Sequence, residues 1–270
     1  MVQLVERVRT WKPVSRWSIV LGVGLVAAIV VATLGPIPQP QSYHGFADAK
    51  AFLGVPNGLN VLSNLPFIVV GLWGLCFITQ PSLNSEQRWA YGTMFAGLVL
   101  TGIGSGYYHL APDNQRLIWD RLPMTIAMAG FVGALLVDRF GARAVWALPL
   151  LAAAGLSSVV QWGLSEQHGH GDLRWYAFYQ GMVMIFAAAV LLMFPSLKSG
   201  TREFTIAAAA NLAAKVFELL DFPAYQLGGI ISGHTLKHLA ASLGFIPVVM
   251  MVGKQLANSN WQLAKAAEKR

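Results

Sequence analysis

Long apolar runs separated by short polar stretches recur along the whole chain, and their length decides what they are. The first runs from Trp17 to Leu34, and a helix of about 20 apolar residues is enough to cross a bilayer. Further runs are read at about 58–79, 88–109, 117–137, 144–163, 174–194, 203–221 and 234–253. The first run could belong to a signal peptide, but it ends in Gly35-Pro36-Ile37-Pro38 with no small-x-small cleavage site, so a retained helix is expected. The pattern predicts an all-α integral membrane protein: a basic tail over 1–16, an extra N-terminal transmembrane helix over 17–35, a polar proline-rich linker over 36–57, a seven-helix bundle over 58–254 and a tail over 255–270.

Composition agrees with that pattern. Of 270 residues 55% are apolar and only 11% charged, with a mean hydropathy of +0.53, whereas soluble domains carry about 25% charged residues. The single cysteine, Cys76, excludes an internal disulfide framework and a cysteine-rich metal site. A net charge of +7 raises nucleic acid as a partner, but the basic residues are scattered over short loops and both tails rather than gathered in one patch, so none is expected. Their distribution reports topology instead. With a cytoplasmic N-terminus, alternate loops hold Arg88, then Arg139 and Arg143, then Lys198 and Arg202, and the tail adds Lys254, Lys265, Lys269 and Arg270. The opposite loops hold only Lys50, Arg116 and Arg174, with Arg121 at a helix start. This asymmetry predicts that both termini are cytoplasmic and the linker exoplasmic.

The histidines follow from the same topology. His109 ends the third run outward, Asp120 begins the fourth outward, and His234 begins the eighth outward, so all three arrive at one membrane level on the exoplasmic side. Ser105 and His109 are four residues apart, as are His234 and His238, so on helices each pair shares a face. Three neutral imidazoles, a nearby carboxylate and one position left to water suit a catalytic zinc site. Each residue also has a plainer explanation. A lone histidine at a helix end is an interfacial hydrogen-bonding group, and Ser105 within Gly102-Ile103-Gly104-Ser105-Gly106 permits close helix packing. Asp120 beside Arg121 would on this view make an interfacial ion pair, and Glu218 and Asp221 would pair with Lys215 or face a water cavity. His168 and His170 belong in solvent.

Four segments appear in an order known from one family: Asn60-Val61-Leu62-Ser63-Asn64-Leu65-Pro66-Phe67, Ser105-x-x-x-His109, Asp120-Arg121-Leu122-Pro123-Met124, and His234-x-x-x-His238 followed by Gly244. In these the chain resembles the alkaline ceramidases, within the wider group of seven-helix membrane hydrolases that includes the adiponectin receptors. The resemblance runs from about Asn57 to the last span. It implies zinc (Zn2+) held by His109, His234 and His238, with Ser105 and Asp120 around the water at the open position. It further implies hydrolysis of the amide bond of a ceramide-like membrane lipid to a fatty acid and an amine. Asp120 would then accept and return a proton, and Ser105 would either donate to the developing oxyanion or orient a ligand; the residues leave both open.

The chain departs from that family in the linker, where alkaline ceramidases gather several acidic residues around calcium. Here only Asp48 is acidic, with Asn57 and Asn60 nearby, and calcium takes six to eight oxygens, so dependence on Ca2+ is in question. The alternatives are an ester or phospholipid hydrolase of the same superfamily, or a seven-helix receptor or transporter with a structural metal site. Nothing in the sequence sets the oligomeric state. The topology is testable by fusion: a reporter active only in the exoplasmic space should work when inserted after His109 and fail after Lys254, and the opposite result would invert the arrangement.

Overall fold

The computed structural model describes residues 6, 8, 10–197 and 200–255. The tail expected over 255–270, beyond Gln255, and most of residues 1–9 lie outside them, as does Lys198 of the charge pattern. The described residues hold no β-strand, only an isolated bridge between Phe52 and Val55. In chain order the helices are α1 (Pro13–Thr33), α2 (Gly58–Leu62), α3 (Leu65–Leu75), α4 (Ser85–Leu110), α5 (Asn114–Phe140), α6 (Ala147–Gln167), α7 (Arg174–Met193), α8 (Thr201–Leu219), α9 (Asp221–Gly228) and α10 (Gly233–Leu243). A last helix, α11, covers 246–255. The protein is an all-α membrane bundle, as the apolar pattern predicts.

Among the described residues six segments are long and apolar enough to cross a membrane: Pro13–Thr33, Gly58–Leu75, Asn114–Phe140, Ala142–Gln167, Arg174–Met193 and Gly233–Gln255. The two expected runs that fall short of that measure lie in α4 and α8. Both are long enough, but α4 carries Thr101, Ser105, Tyr107, Tyr108 and His109, and α8 carries Arg202, Glu203, Asn211, Lys215 and Glu218. A helix with polar side chains turned into a bundle has no need to be apolar all round. Two expected spans are also interrupted. Residues 58–79 break at Ser63-Asn64, and 234–253 breaks at Gly244-Phe245.

Local chemistry explains the boundaries around the site. Asn84 and Gln87 form a reciprocal capping box at the start of α4. The Asp113 side chain accepts from the Arg116 amide to start α5, which stops at Gly141 with φ +84°. Ser232 caps α10 by accepting from the Thr235 amide. The outer surface is lined by apolar side chains such as Val69, Leu72, Ile103, Leu150 and Leu212, all exposed, as lipid contact requires. Helix α1 is the most peripheral. Only 11% of its apolar window is buried, and it is held at one end by Trp17 against Phe140 and Phe194 at ring distances of 5.1 and 5.0 Å.

The closest helix pair is α4 with α5, which run antiparallel through the centre. Three glycines set their separation. A Cβ on Gly130 would lie 2.2 Å from the Met94 amide nitrogen, one on Gly97 2.4 Å from that of Ala127, and one on Gly104 2.0 Å from the Trp119 carbonyl oxygen. Pro123, inside α5, has no N–H to bond the carbonyl four residues earlier, which is that of Trp119. The freed oxygen faces the bare Cα of Gly104, a geometry that suits a weak Cα–H···O contact. Gly104→Ala should therefore force α4 and α5 apart and destabilise the bundle by about 1–3 kcal/mol, the usual cost of overpacking. Gly106→Ala, two residues on with nothing within 4 Å of its Cβ position, should change stability by less than about 0.5 kcal/mol. Thermal unfolding of both variants in detergent checks the contrast.

Candidate metal centre

His109 ends α4, and His234 and His238 lie one turn apart on α10. All three are buried, at 1%, 4% and 3% exposure. Their ring centroids are 4.7–4.9 Å apart in all three pairings, and one ring nitrogen from each lies within 4.8 Å of the others. His109 Nε2 and His234 Nε2 are separated by 3.2 Å. Two nitrogens on one tetrahedral zinc at the usual bond lengths would be about 3.3 Å apart.

The surroundings fit a metal better than a packed histidine cluster. His109 Nδ1 is buried without a hydrogen-bond partner, and whereas one N–H···N bond can join only His109 and His234, a cation would engage a lone pair from each of the three rings. The His238 ring is oriented from behind. Ser63 Oγ lies 2.8 Å from His238 Nδ1 and donates to the Asn60 carbonyl at 3.1 Å. With its proton so engaged, the Ser63 oxygen accepts from Nδ1–H and leaves the Nε2 lone pair free for an ion. The His234 amide donates to Asp221 Oδ1 at 2.8 Å, and the other Asp221 oxygen accepts from the Ala47 amide at 2.9 Å. Asp221 thus stabilises the N-terminal turn of α10 that presents His234.

Asp120, 7% exposed, and Ser105, 3% exposed, are both buried, on α5 and α4 respectively. Both line an elongated cavity that also reaches His238 and continues inward between Phe67, Leu98, Met124, Phe131, Val183 and Phe245. The ion pair of the plainer explanation, between Asp120 and Arg121, is not formed. Arg121 donates from Nη2 to Gln39 Oε1 at 2.6 Å, and its guanidinium stacks on Trp162, Tyr176 and Tyr43 at 4.1, 4.7 and 5.6 Å. Neighbours on a helix point about 100° apart, which sends the two side chains into different walls. Glu218 does pair with Lys215, at 2.6 Å, but equally with Lys237, at 2.7 Å, and it accepts from the Tyr43 hydroxyl at 3.1 Å. Burial raises the Tyr43 phenol above its ordinary pKa, so it stays a neutral donor. His168 and His170 are exposed, as expected.

The linker is more than a polar spacer. Phe46 lies against the His109 and His234 rings at 4.7 and 4.4 Å, and His44 bridges Tyr108 and Asn114 at 2.9 and 2.8 Å. Asn57 Nδ2 donates to the His109 carbonyl at 2.9 Å, and Asn60 Nδ2 to the Asp48 carbonyl at 2.8 Å. The Asn60 amide oxygen accepts from Thr235 Oγ1 at 3.1 Å. The amides of Asn57 and Asn60 are thus engaged in tying the linker to the histidine helices.

Several of these residues escape a reading by motif spacing. Ser63 and Asn60 sit in a polar cluster inside an apolar span, which is a signal in its own right. Phe46 gives none, and Asn57 and Asp221 are polar signals whose actual partners, the His109 carbonyl and the His234 and Ala47 amides, depend on where the linker and α9 fold back. Comparison with protein-family models and with curated proteins finds no match to this chain.

Each of His109→Ala, His234→Ala and His238→Ala should abolish tightly bound metal in the purified protein, whereas His168→Ala should leave it intact. Ser63→Ala should keep the site but weaken it by about 10–100-fold, the usual effect of losing a group that orients a ligand. Elemental analysis and a chelator competition titration measure both. Equal metal content in wild type and His234→Ala would show that the triad is not the site.

Proposed function

We propose that the protein is a zinc-dependent hydrolase that cleaves the amide bond of a ceramide-like membrane lipid into a free fatty acid and an amine. The observation that carries this reading is a buried three-histidine cluster, one member of which, His238, lines a largely apolar cavity together with Asp120 and Ser105. A donor set of three neutral imidazoles suits zinc over calcium or magnesium, which take oxygen ligands. The resemblance to the alkaline ceramidases, in the same five residues, supports the same assignment. The charge asymmetry of the loops supports a site toward the exoplasmic face with both termini in the cytoplasm.

Bound zinc supplies a Lewis acid for the amide carbonyl and brings the pKa of water near 7. The chain's own residues do the rest. The acyl chain lies in the apolar part of the cavity, which keeps bulk water from the scissile bond and sets the amide at the depth of Asp120. Asp120 takes a proton from water as the water oxygen adds to the carbonyl carbon, and returns it to the nitrogen as the C–N bond breaks. One water is consumed, and a fatty acid and an amine leave. Ser105, which lines the same cavity, orients that carboxylate toward the reacting atoms. Phe46 covers the histidines from the linker side.

Asp120→Asn should retain metal and lower the rate of fatty-acid release by about 10²–10⁴-fold, the usual contribution of a general acid–base. Ser105→Ala should cost less, because it removes an orienting contact and leaves the proton carrier in place. Metal analysis and amide hydrolysis on the same purified variants decide the matter. Wild-type turnover by Asp120→Asn would remove the general-base role, and a zinc-loaded wild type that releases no fatty acid from any amide or ester would favour a receptor or transporter.

A further inference from the structure

Beside the apolar cavity lies a second, polar chamber. Its walls include Tyr43, Tyr176, Arg121 and Glu218, and it shares Asp120, Met124, Gln180, Lys215 and Lys237 with the first cavity. The two spaces therefore meet at the residue that the hydrolase reading makes the proton carrier. Three cations face this chamber against two carboxylates, Glu218 and Asp120. Glu218 is already used by both lysines.

The uncompensated charge belongs to Arg121. This residue is only 4% exposed, forms no carboxylate pair among the described residues, and has one guanidinium nitrogen, Nη1, with no hydrogen-bond partner. An aromatic box of Trp162, Tyr176 and Tyr43 holds the guanidinium plane in place. A buried cation with a free donor is costly unless an anion completes it, and a planar guanidinium favours carboxylate or phosphate oxygens. Lys237, between the two histidines of α10, adds a second cation close to the metal centre.

We propose that this chamber is an anion subsite that takes a carboxylate or phosphate on the amine portion of the substrate, so that the preferred lipid is an N-acylated amine bearing an anionic group. The proposal rests on the hydrolase reading for the placement of the acyl chain in the apolar cavity. With the amide at Asp120, the amine portion then enters the polar chamber, where Arg121 and the two lysines receive its anionic group. A lipid amide with a neutral amine portion would leave Arg121 unpaired.

The test uses the full-length, zinc-loaded protein in detergent with three matched amides: N-palmitoylglycine, N-palmitoylethanolamine and the phosphate ester of the latter. At least one anionic amide should be hydrolysed with a kcat/KM about 10–100-fold above that of the neutral one, the range expected for hydrogen bonds to a charged group. Whichever anionic amide leads identifies the carboxylate or the phosphate. Arg121→Gln should reduce the ratio of anionic to neutral kcat/KM toward one. Lys215→Gln, at the more open rim, should lower it by a smaller factor and serves if Arg121→Gln does not fold. Equal rates on neutral and anionic amides, or a ratio that survives both substitutions, would overturn the proposal. If no amide is cleaved, the hydrolase reading fails on its own, and binding judges the subsite. Quenching of tryptophan fluorescence should then show at least about tenfold tighter binding of N-palmitoylglycine or the phosphate ester than of N-palmitoylethanolamine, lost in Arg121→Gln, and equal binding would reject the site.

Discussion

Where Pro123 removes an amide proton from α5, the carbonyl of Trp119 loses its helical partner, and Gly104 of α4 closes directly on it. The site depends on that approach. Asp120 follows Trp119, and Ser105 follows Gly104, so the separation of the two helices at the seam also sets where the carboxylate and the hydroxyl lie relative to one another. His109 stands one further turn along α4, where it meets α10. A side chain at residue 104 would be felt at every one of these groups, since closely packed helices transmit displacement rather than absorb it.

An apolar bundle in lipid has no external water to satisfy a misplaced polar group, and each polar side chain at the centre must find its partner inside the protein. The linker meets much of that demand. Asn57 and Asn60 bond the ends of the histidine helices, Ala47 shares Asp221 with His234, and Phe46 covers the imidazole faces. The break between α2 and α3 has a similar use. It lies at Ser63-Asn64, beside the residue that bonds His238. The irregular backbone is found next to the site, where protein groups are available to receive its hydrogen bonds.

Charge needs the same care. Lys237 sits on α10 between His234 and His238, where a free ammonium would oppose a bound dication. Its ammonium bonds Glu218 instead, in a pair completed by Lys215 and Tyr43. Glu218 therefore lets a lysine lie beside the histidine cluster by giving it a fixed partner. Arg121 has aromatic faces and Gln39 in place of such a carboxylate.

The sequence alone determined the class of the fold and the membership of the histidine cluster. Apolar runs of membrane length have one economical solution in lipid, and four-residue spacing puts two side chains on one helical face whatever surrounds them. It also marked Ser105 and Asp120, because both lie beside histidine-bearing turns at one predicted depth. Other features were decided only by the tertiary structure. Adjacency in sequence suggested an Asp120–Arg121 pair, yet the helix turns these neighbours into separate walls. Glu218 gained Lys237 from a different helix, and Asp221 became a cap rather than an ion-pair partner. The roles of Phe46 and Asn57 likewise depend on a linker folding back across the bundle. Periodicity describes which residues share a face of one helix; which face meets which neighbour depends on the packing of all the helices together.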